Sequence, residues 1–210
     1  MQPVYPILDV EAAAVAGHDL VACARELASL GLELQQLRAK QLPADQFLRL
    51  AQKLQAMVPK LIINDRADVA LLAEAAGVHV GQDDLPLEHV RRLGPPGWLI
   101  GVSTHTLAQA AQAAVGHPDY LALGPVFPTG SKLQPDPVVG VQTLAELRRS
   151  FSGDLVAIGG IGLENCSAVW AAGANAVAVI SVLWQAEQPA RAAERLLQAH
   201  ASCKQRGILP

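Results

Sequence analysis

Residues 60–82 read KLIINDRADVALLAEAAGVHVGQ, and the architecture can be inferred from this stretch. Its two apolar runs, KLIIND and GVHVGQ, have the composition of buried strands. The segment VALLAEAAG between them has helical spacing and ends at Gly77. This order predicts two parallel strands joined by a crossover helix, because parallel strands need a long connection that is usually helical.

The same unit recurs along the chain. Further runs with strand character are VYPILD, LELQQLR, WLIGVS, YLALGPVF, LVAIGG and AVAVIS, which makes eight in total. Ala- and Leu-rich segments with helical spacing lie between them, and several end at a glycine, at Gly31, Gly116 and Gly173. A glycine directly after a helix is typical of a left-handed C-cap. Asp68 and Thr106 are predicted N-caps.

Eight strand–helix repeats in 210 residues predict an α/β fold of the (β/α)8 TIM-barrel type, with residues 1–210 forming one domain. The alternative is an open, doubly wound sheet. That fold normally has a glycine-rich fingerprint after its first strand, and ILDVEAAAVAG does not contain one. The barrel is therefore favoured.

Composition and charge limit the classes of function. With 51% hydrophobic residues the chain can bury a substantial core, and its net charge of −3 gives no general attraction for nucleic acid or an anionic membrane. The cysteines, Cys23, Cys166 and Cys203, fit neither a disulfide framework nor a zinc motif. No signal peptide or membrane-spanning run is visible. We expect a cytoplasmic protein with small-molecule substrates, and a homo-oligomer stays open.

The active site of a TIM barrel lies at the C-terminal ends of its strands, and this chain has polar or glycine residues at nearly all of those positions. In strand order they are Gln36, Arg38 and Lys40; Asn64 and Asp65; Gln82, Asp83 and Asp84; Ser103; Thr129, Ser131 and Lys132; Gly159 and Gly160; and Ser181. We expect these residues to surround one site.

The second strand carries polar and basic residues that suit the binding of an anion. Gln36, Arg38 and Lys40 alternate along it, so they point to one face, and their side chains suit a phosphate. A surface edge of ion pairs is the alternative. Glu33 and Gln35 take the opposite parity, where a barrel needs apolar contact with its helices, and the sequence alone does not explain them.

Asp65 and Asp84 follow neighbouring strands, so their carboxylates can share a hard cation. Magnesium prefers a few carboxylates together with phosphate oxygens. Each aspartate alone could equally be a helix N-cap. The pairing indicates a Mg²⁺ site beside the anion site.

A second anion site is predicted at IGGI and AVIS, where the seventh and eighth strands end, because TIM barrels commonly bind phosphate there. Residues 124–140 form a long loop with no helical or strand period, which is typical of a lid, a binding loop or a disordered segment. The spacing of Ser131 and Lys132 excludes a P-loop. We expect His79 to be a buried structural residue, whereas His105 is a better candidate for proton transfer.

Five segments together resemble the thiamine-phosphate synthase family in order and spacing. They are QLRAK, IINDRADVALLAEAAGVHVGQDDLP, IGVSTHT, YLALGPVFPTGSK and VAIGGIGLENCSAVWAAGANAVAVIS, and the resemblance runs from about Tyr5 to about Ser181. It implies a TIM barrel that joins hydroxymethylpyrimidine diphosphate to a thiazole phosphate and releases pyrophosphate. It also implies Mg²⁺ as the cofactor that assists departure of the diphosphate.

The resemblance further implies roles for single residues. Gln36 faces the pyrimidine, and Asp65 and Asp84 bind Mg²⁺. The diphosphate is held by Arg38, Lys40, Asn64, Ser103 and Lys132. The thiazole-phosphate side is lined by Thr129, Ser131, Gly160, Ile180 and Ser181. The loop at 124–140 then lies over both substrates.

The chain departs from the family pattern at Ser131, Ala39 and Gln35, where threonine, an acidic residue and an apolar residue are usual. None of these changes removes a charge assigned to the reaction. Two alternatives stay open. One is an isomerase similar to the related thiazole tautomerase, which could use His105. The other is a barrel without catalytic activity that binds a thiamine intermediate. The set of cations and carboxylates argues against both.

Overall fold

The computed structural model describes residues 1–130 and 136–209. The strands are β1 (Val4–Asp9), β2 (Leu34–Arg38), β3 (Lys60–Asn64), β4 (Gly77–Val80), β5 (Leu99–Thr104), β6 (Tyr120–Leu123), β7 (Asp154–Ile158) and β8 (Ala176–Val179). The helices of the described ranges are α1 (Val10–Ala16), α2 (Leu20–Ser29), α3 (Ala44–Gln55), α4 (Ala67–Leu72), α5 (Leu87–Leu93), α6 (Leu107–Val115), α7 (Gly140–Ser150), α8 (Cys166–Ala171), α9 (Ser181–Trp184) and α10 (Pro189–Gln205).

Each strand pairs in parallel with the next one along the chain, and β8 pairs with β1 to close the sheet. The predicted (β/α)8 barrel is therefore confirmed, and the open sheet is wrong. In the part of the chain that the structure describes, no helix combines the length and the apolarity that a bilayer crossing requires.

The hydrophobic core has two parts, as the alternation of side chains along a strand requires. The inner cluster fills the barrel and includes Tyr5, Ile7, Ile62, Tyr120 and Val156. The outer cluster packs the opposite faces of the strands against the helices. Gln36 and Arg38 have the same parity as the inner-facing Leu34, so β2 directs them into the barrel and towards its mouth.

The opposite parity of β2 now has a physical explanation. The side chain of Gln35 is fully buried, and its Nε2 donates to the carbonyl oxygens of Ala24 and Leu32 at 2.9 and 3.0 Å. These bonds let a polar amide pack against a helix where an apolar residue was expected. Glu33 lies outside the strand and is exposed.

Some predicted helix ends are confirmed. Gly31 and Gly173 follow α2 and α8 and have φ angles of +82° and +97°, the left-handed region in which glycine avoids a steric cost. Thr106 is the N-cap of α6, and its Oγ1 accepts the backbone N–H of Gln109 at 3.1 Å.

Three other predicted ends are wrong. Helix α4 already ends at Leu72, and Gly77 is the first residue of β4. Gly116 has φ of −80°, and the left-handed position after α6 is taken by His117 instead. Asp68 lies inside the first turn of α4, where it pairs with the guanidinium of Arg66 rather than capping the helix.

The position of Gly77 leads to a stability prediction. A Cβ atom there would overlap the carbonyl oxygen of Leu99 on the paired strand β5. Both the added atom and the oxygen are attached to strand backbone, so a side-chain rotation cannot remove the overlap. We expect Gly77→Ala to lower the free energy of unfolding by more than about 3 kcal/mol in urea denaturation. The control Gly31→Ala meets no atom within 4 Å and has only its left-handed φ to oppose it. It should cost about 1 kcal/mol, and equal costs would contradict the strand assignment.

Candidate active site

A cavity of about 550 Å³ opens at the C-terminal ends of the strands, and all eight strands or the turns that follow them contribute to its lining. Every predicted site residue that the structure describes lines it: Gln36, Arg38, Lys40, Asn64, Asp65, Asp84, Ser103, Thr129, Gly160, Ile180 and Ser181. Ser131 and Lys132 lie outside the described residues. The geometry thus brings the predicted residues together, while their chemical roles stay predictions.

Two cations lie on the β2 side of the cavity, each paired with a carboxylate. The guanidinium of Arg38 donates to Asp9, and the ammonium of Lys40 donates to Asp65. The Lys40 side chain is half-exposed, whereas that of Arg38 is 20% exposed. Both cations therefore face the cavity with their charges partly balanced, and an arriving anion competes with these carboxylates.

The two predicted metal ligands lie next to each other. Asp65 adopts a left-handed backbone with φ of +63°, and its N–H donates to the carbonyl oxygen of His79 at 2.8 Å. The backbone N–H of Gly81 donates to Oδ2 of Asp84 at 2.7 Å. Burial raises the pKa of the Asp84 carboxyl above its ordinary value, and the charge of Asp65 raises it further. The two carboxylates are close enough to repel each other.

The number of protein ligands at this pair fits Mg²⁺. Within residues 1–130 and 136–209, no group of three His, Cys, Asp or Glu side chains could hold a metal alone. Two adjacent carboxylates without a third ligand are what Mg²⁺ uses when phosphate oxygens and water complete its shell. A shared cation would also relieve the repulsion between Asp65 and Asp84.

The opposite side of the cavity is made of backbone. Gly159 and Gly160 follow β7 and have φ angles of +98° and +63°. A Cβ at Gly160 would overlap the carbonyl oxygen of Pro128, so the glycines allow residues 125–128 to pack directly on this turn. Phe127 donates its N–H to the carbonyl oxygen of Gly159 at 3.0 Å. Residues 125–128 are thereby held against the turn that follows β7.

A hydrogen-bonded chain crosses the barrel beneath the cavity. Gln36 Nε2 donates to the Tyr5 hydroxyl at 3.1 Å, and this hydroxyl lies 2.9 Å from that of Tyr120. The Tyr120 hydroxyl lies 3.0 Å from Nδ1 of His79, and Nε2 of His79 lies 2.8 Å from Oγ of Ser103. The chain connects Gln36 on β2 with Ser103 on β5.

Burial keeps this chain uncharged. It raises the pKa values of Tyr5 and Tyr120 well above their ordinary range and lowers the pKa of His79 to about 4. Two donor orders fit these distances, because each hydroxyl and the neutral imidazole of His79 can both donate and accept. If His79 donates through Nε2, the hydroxyl hydrogen of Ser103 is available to another acceptor; in the reverse order Ser103 donates it to His79. His79 is buried, as the sequence predicts.

His105 is engaged in structural contacts. Its Nδ1 donates to the carbonyl oxygen of Gly124 at 2.6 Å, and its Nε2 lies 3.6 Å from Oδ2 of Asp136. Oε1 of Gln109 accepts its backbone N–H. His105 therefore contacts Gly124 and Asp136, on either side of residues 131–135, and these contacts weaken its case as a proton shuttle.

Sequence reasoning missed two carboxylates that contact the cationic side. Asp9 accepts from Arg38, and Glu11 accepts from the backbone of Lys40. Asp9 is the last residue of the run VYPILD, so the rule that strand ends carry site residues could have found it. No sequence pattern marks Glu11.

These features define the class of protein. A closed (β/α)8 barrel with cations and paired carboxylates on one side of its mouth, and a glycine turn at β7 and β8 on the other, is a TIM barrel of the type that binds phosphorylated small molecules.

Comparison with known proteins identifies the family within this class. The family model described as thiamine monophosphate synthase matches residues 4–183. The chain belongs to this family.

Curated relatives and solved structures agree. The chain is 46% identical to the thiamine-phosphate synthase of Methanocella arvoryzae over 165 residues, which cover 77% of this chain and 78% of that one. It is 42% identical to the thiamine-phosphate synthase of Anaeromyxobacter dehalogenans, with 93% and 90% of the two chains covered. The solved thiamine phosphate pyrophosphorylase of Pyrococcus furiosus superposes with a TM-score of 0.84 at 30% identity, covering 95% and 96%.

The buried histidine leads to a prediction about pH and stability. The unfolded chain protonates His79 below about pH 6.5, whereas the folded chain does so only below about pH 4. Between these values the unfolded state binds more protons, so stability falls as the pH is lowered through this window, by at most about 3 kcal/mol. We expect His79→Gln to remove this part of the slope in urea denaturation with EDTA present.

The control for this measurement is His89→Gln, which changes an exposed histidine on α5. Its free energy of unfolding should follow the wild-type pH dependence. A His79→Gln variant with an unchanged slope between pH 6.5 and pH 4 would show that His79 is not held neutral in the folded protein.

Proposed function

We propose that this chain catalyses the thiamine-phosphate synthase reaction, in which hydroxymethylpyrimidine diphosphate and thiazole phosphate give thiamine phosphate and pyrophosphate. The observation that carries the proposal is the convergence of all eleven described candidate residues on one cavity with two chemically different sides. Membership of the family supports the same reaction, and so do the names of the relatives of similar length.

The reaction breaks one bond and forms one. The bond between the methylene carbon of the pyrimidine and the diphosphate oxygen breaks, and its electron pair leaves with pyrophosphate. The lone pair of the thiazole ring nitrogen forms the new bond to the same methylene carbon. No side chain has to donate or remove a proton, so the protein's main task is to stabilise the charge that collects on the departing pyrophosphate.

The cationic side of the cavity suits the diphosphate. Arg38 and Lys40 project from β2 and from the turn that follows it, and Asn64 adds an amide at the end of β3. Ser103 adds a hydroxyl group, which lies 2.8 Å from Nε2 of His79. Fixed donors and cations stabilise a developing anion most because they need no reorganisation during the reaction. Lys132 belongs to the same predicted set and lies outside the described residues.

Asp65 and Asp84 would hold Mg²⁺ beside this diphosphate. When bound, the ion would act as a Lewis acid that neutralises charge on phosphate oxygens. A metal at Asp65 would compete with Lys40 for that carboxylate. The ammonium group would then face the diphosphate with less of its charge balanced.

The glycine side suits the thiazole phosphate. Gly160, Ile180 and Ser181 present backbone and a hydroxyl at the ends of β7 and β8, a usual place for phosphate in TIM barrels. Thr129 lines the cavity from the loop after β6. Gln36 lines the cavity and donates from its amide to Tyr5, which would hold the amide for contact with the pyrimidine.

The isomerase alternative is weaker in this geometry. It would rely on proton transfer, yet the imidazole of His105 is occupied by Gly124 and Asp136, and that of His79 is buried and neutral at physiological pH. A binding protein without activity would have little use for two adjacent, mutually repelling carboxylates. The cytoplasm is the proposed location, in line with three buried cysteines in the thiol form.

The direct experiment is incubation of the purified chain with both substrates and Mg²⁺. We expect thiamine phosphate and pyrophosphate in equal amounts over many turnovers, and no product when either substrate or the metal is omitted. Isomerisation of a thiazole phosphate without condensation would favour the tautomerase alternative, and binding without product would favour the inactive barrel.

The proposed metal site leads to a separate prediction. Asp84→Asn keeps the acceptor for the N–H of Gly81 and removes repulsion with Asp65, so the melting temperature should not fall. The rate of thiamine phosphate formation should drop by at least about a hundredfold, because the variant loses metal-assisted charge stabilisation. Asp45→Asn, at an exposed ion pair on α3, is the control and should keep the wild-type rate. Full activity of Asp84→Asn would contradict the metal site.

A further inference from the structure

Two carboxylates at the start of α1 contact residues of the cationic side of the cavity but do not line the cavity themselves. We call Asp9 and Glu11 the α1 carboxylate pair. Neither residue lines the cavity, and neither takes part in the proposed chemistry. Their contacts nevertheless reach both of the cations that β2 and its following turn bring to the diphosphate.

Asp9 is held rigidly and in turn holds Arg38. It is 3% exposed, and its Oδ1 accepts the backbone N–H of Ala12 at 2.8 Å as the N-cap of α1. Its Oδ2 accepts from Nη1 of Arg38. The parallel register of β1 and β2 sets Asp9 directly opposite Arg38, so both ends of this ion pair lie on hydrogen-bonded strands.

Glu11 acts on the turn that carries Lys40. Strand β2 ends at Arg38, so Lys40 and Gln41 have no ladder partners. Oε1 of Glu11 accepts the backbone N–H groups of both residues at 2.8 Å. Oε2 of Glu11 is buried and has no hydrogen-bond partner in the described ranges. The Glu11 carboxylate therefore accepts both backbone hydrogen bonds through Oε1 alone.

We infer that the α1 carboxylate pair consists of positioning residues for diphosphate binding. Asp9 fixes the guanidinium of Arg38 through its side chain, and Glu11 fixes the backbone from which Lys40 extends. Both cations then meet the ligand in one geometry, and less conformational freedom is lost on binding. The inference rests on the proposed function only for the identity of the anion.

A carboxylate beside a cation also has an opposing effect, because its negative charge repels an incoming anion. The two effects predict opposite signs for the loss of Asp9. If positioning dominates, removal of the carboxylate weakens anion binding, since the ligand must order the long Arg38 side chain itself. If charge balance dominates, removal strengthens binding. The sign of the change therefore decides the matter.

Asp9→Asn is the first test, because asparagine is an equally good N-cap and only the charged contact to Arg38 is lost. Calorimetric titration with inorganic pyrophosphate in Mg²⁺ buffer should show binding roughly fivefold weaker than wild type. The kinetic assay should show a raised KM for the pyrimidine diphosphate and an unchanged KM for the thiazole phosphate. Unchanged or tighter pyrophosphate binding would overturn the role of Asp9.

The matched control is Asp19→Asn. Asp19 is the N-cap of α2, where it accepts the N–H groups of Val21 and Ala22, and it does not line the cavity. The same chemical change there should leave pyrophosphate binding and both KM values at their wild-type values. Equal effects of the two variants would show that loss of Asp9 acts through general stability, which also overturns the inference.

Glu11 allows a test that does not depend on Asp9 variants folding. Glu11→Gln keeps an oxygen that accepts from Lys40 and Gln41, so it should bind pyrophosphate within about twofold of wild type. Glu11→Ala loses both acceptors and should bind roughly fivefold more weakly. Equal binding by the two variants would contradict the assigned role, since the acceptor oxygen would then make no difference.

These binding measurements separate the inference from the proposed function. If the wild-type chain forms no thiamine phosphate but binds pyrophosphate with the expected effects of Asp9→Asn and Glu11→Ala, the reaction is wrong and the positioning role stands. If the wild type is active and the variants bind and turn over normally, the reaction stands and the positioning role is wrong. Failure of the wild type to bind pyrophosphate would overturn the positioning role.

Discussion

Closure of eight parallel strands into one barrel is the constraint on which the rest of the structure depends. It directs the C-terminal end of every strand to the same rim, so residues far apart in the chain meet there. The cations on and after β2 and the carboxylates after β3 and β4 become neighbours because these strands pair and the turns that follow them lie side by side. The glycine turn after β7 lies across the mouth from them. The two sides of the cavity therefore follow directly from the order of the strands.

Arg38 and Lys40 are each paired with a carboxylate before any ligand arrives. Arg38 is paired with the buried Asp9, and Lys40 with the more accessible Asp65. These two ion pairs differ in what they do. The first joins neighbouring strands, so it is the pair we expect to keep its geometry when an anion binds. The second uses a carboxylate that is also a candidate metal ligand, so it is the pair we expect to change partners. A rigid cation and an adaptable one thus face the same ligand.

The sequence was sufficient for the barrel and for most of the site, because both follow from local patterns. Apolar runs mark the strands, and the residues after them mark the rim. Helix ends were less predictable. Gly77 belongs to a strand because α4 ends early at Leu72, and no local residue signals that end. The contacts of Glu11 also could not be predicted from the sequence, because they depend on how α1 packs beside the turn after β2.

The interior polar chain shows the same limit. Parity along β2 places Gln36 inside the barrel, but its partner Tyr5 and the contacts of His79 depend on side chains from four other strands meeting at the axis. A sequence pattern identifies such residues one by one. Only the distances between them show that they form one continuous hydrogen-bonded chain from Gln36 to Ser103.

The central claim is that the two sides of the cavity hold different phosphates, and a crystal structure with Mg²⁺ and pyrophosphate bound would test it most directly. The account predicts pyrophosphate in contact with Arg38 and Lys40. It also predicts Mg²⁺ at about 2.1 Å from carboxylate oxygens of Asp65 and Asp84. Pyrophosphate bound instead at Gly160 and Ser181, or a metal that contacts neither aspartate, would contradict it.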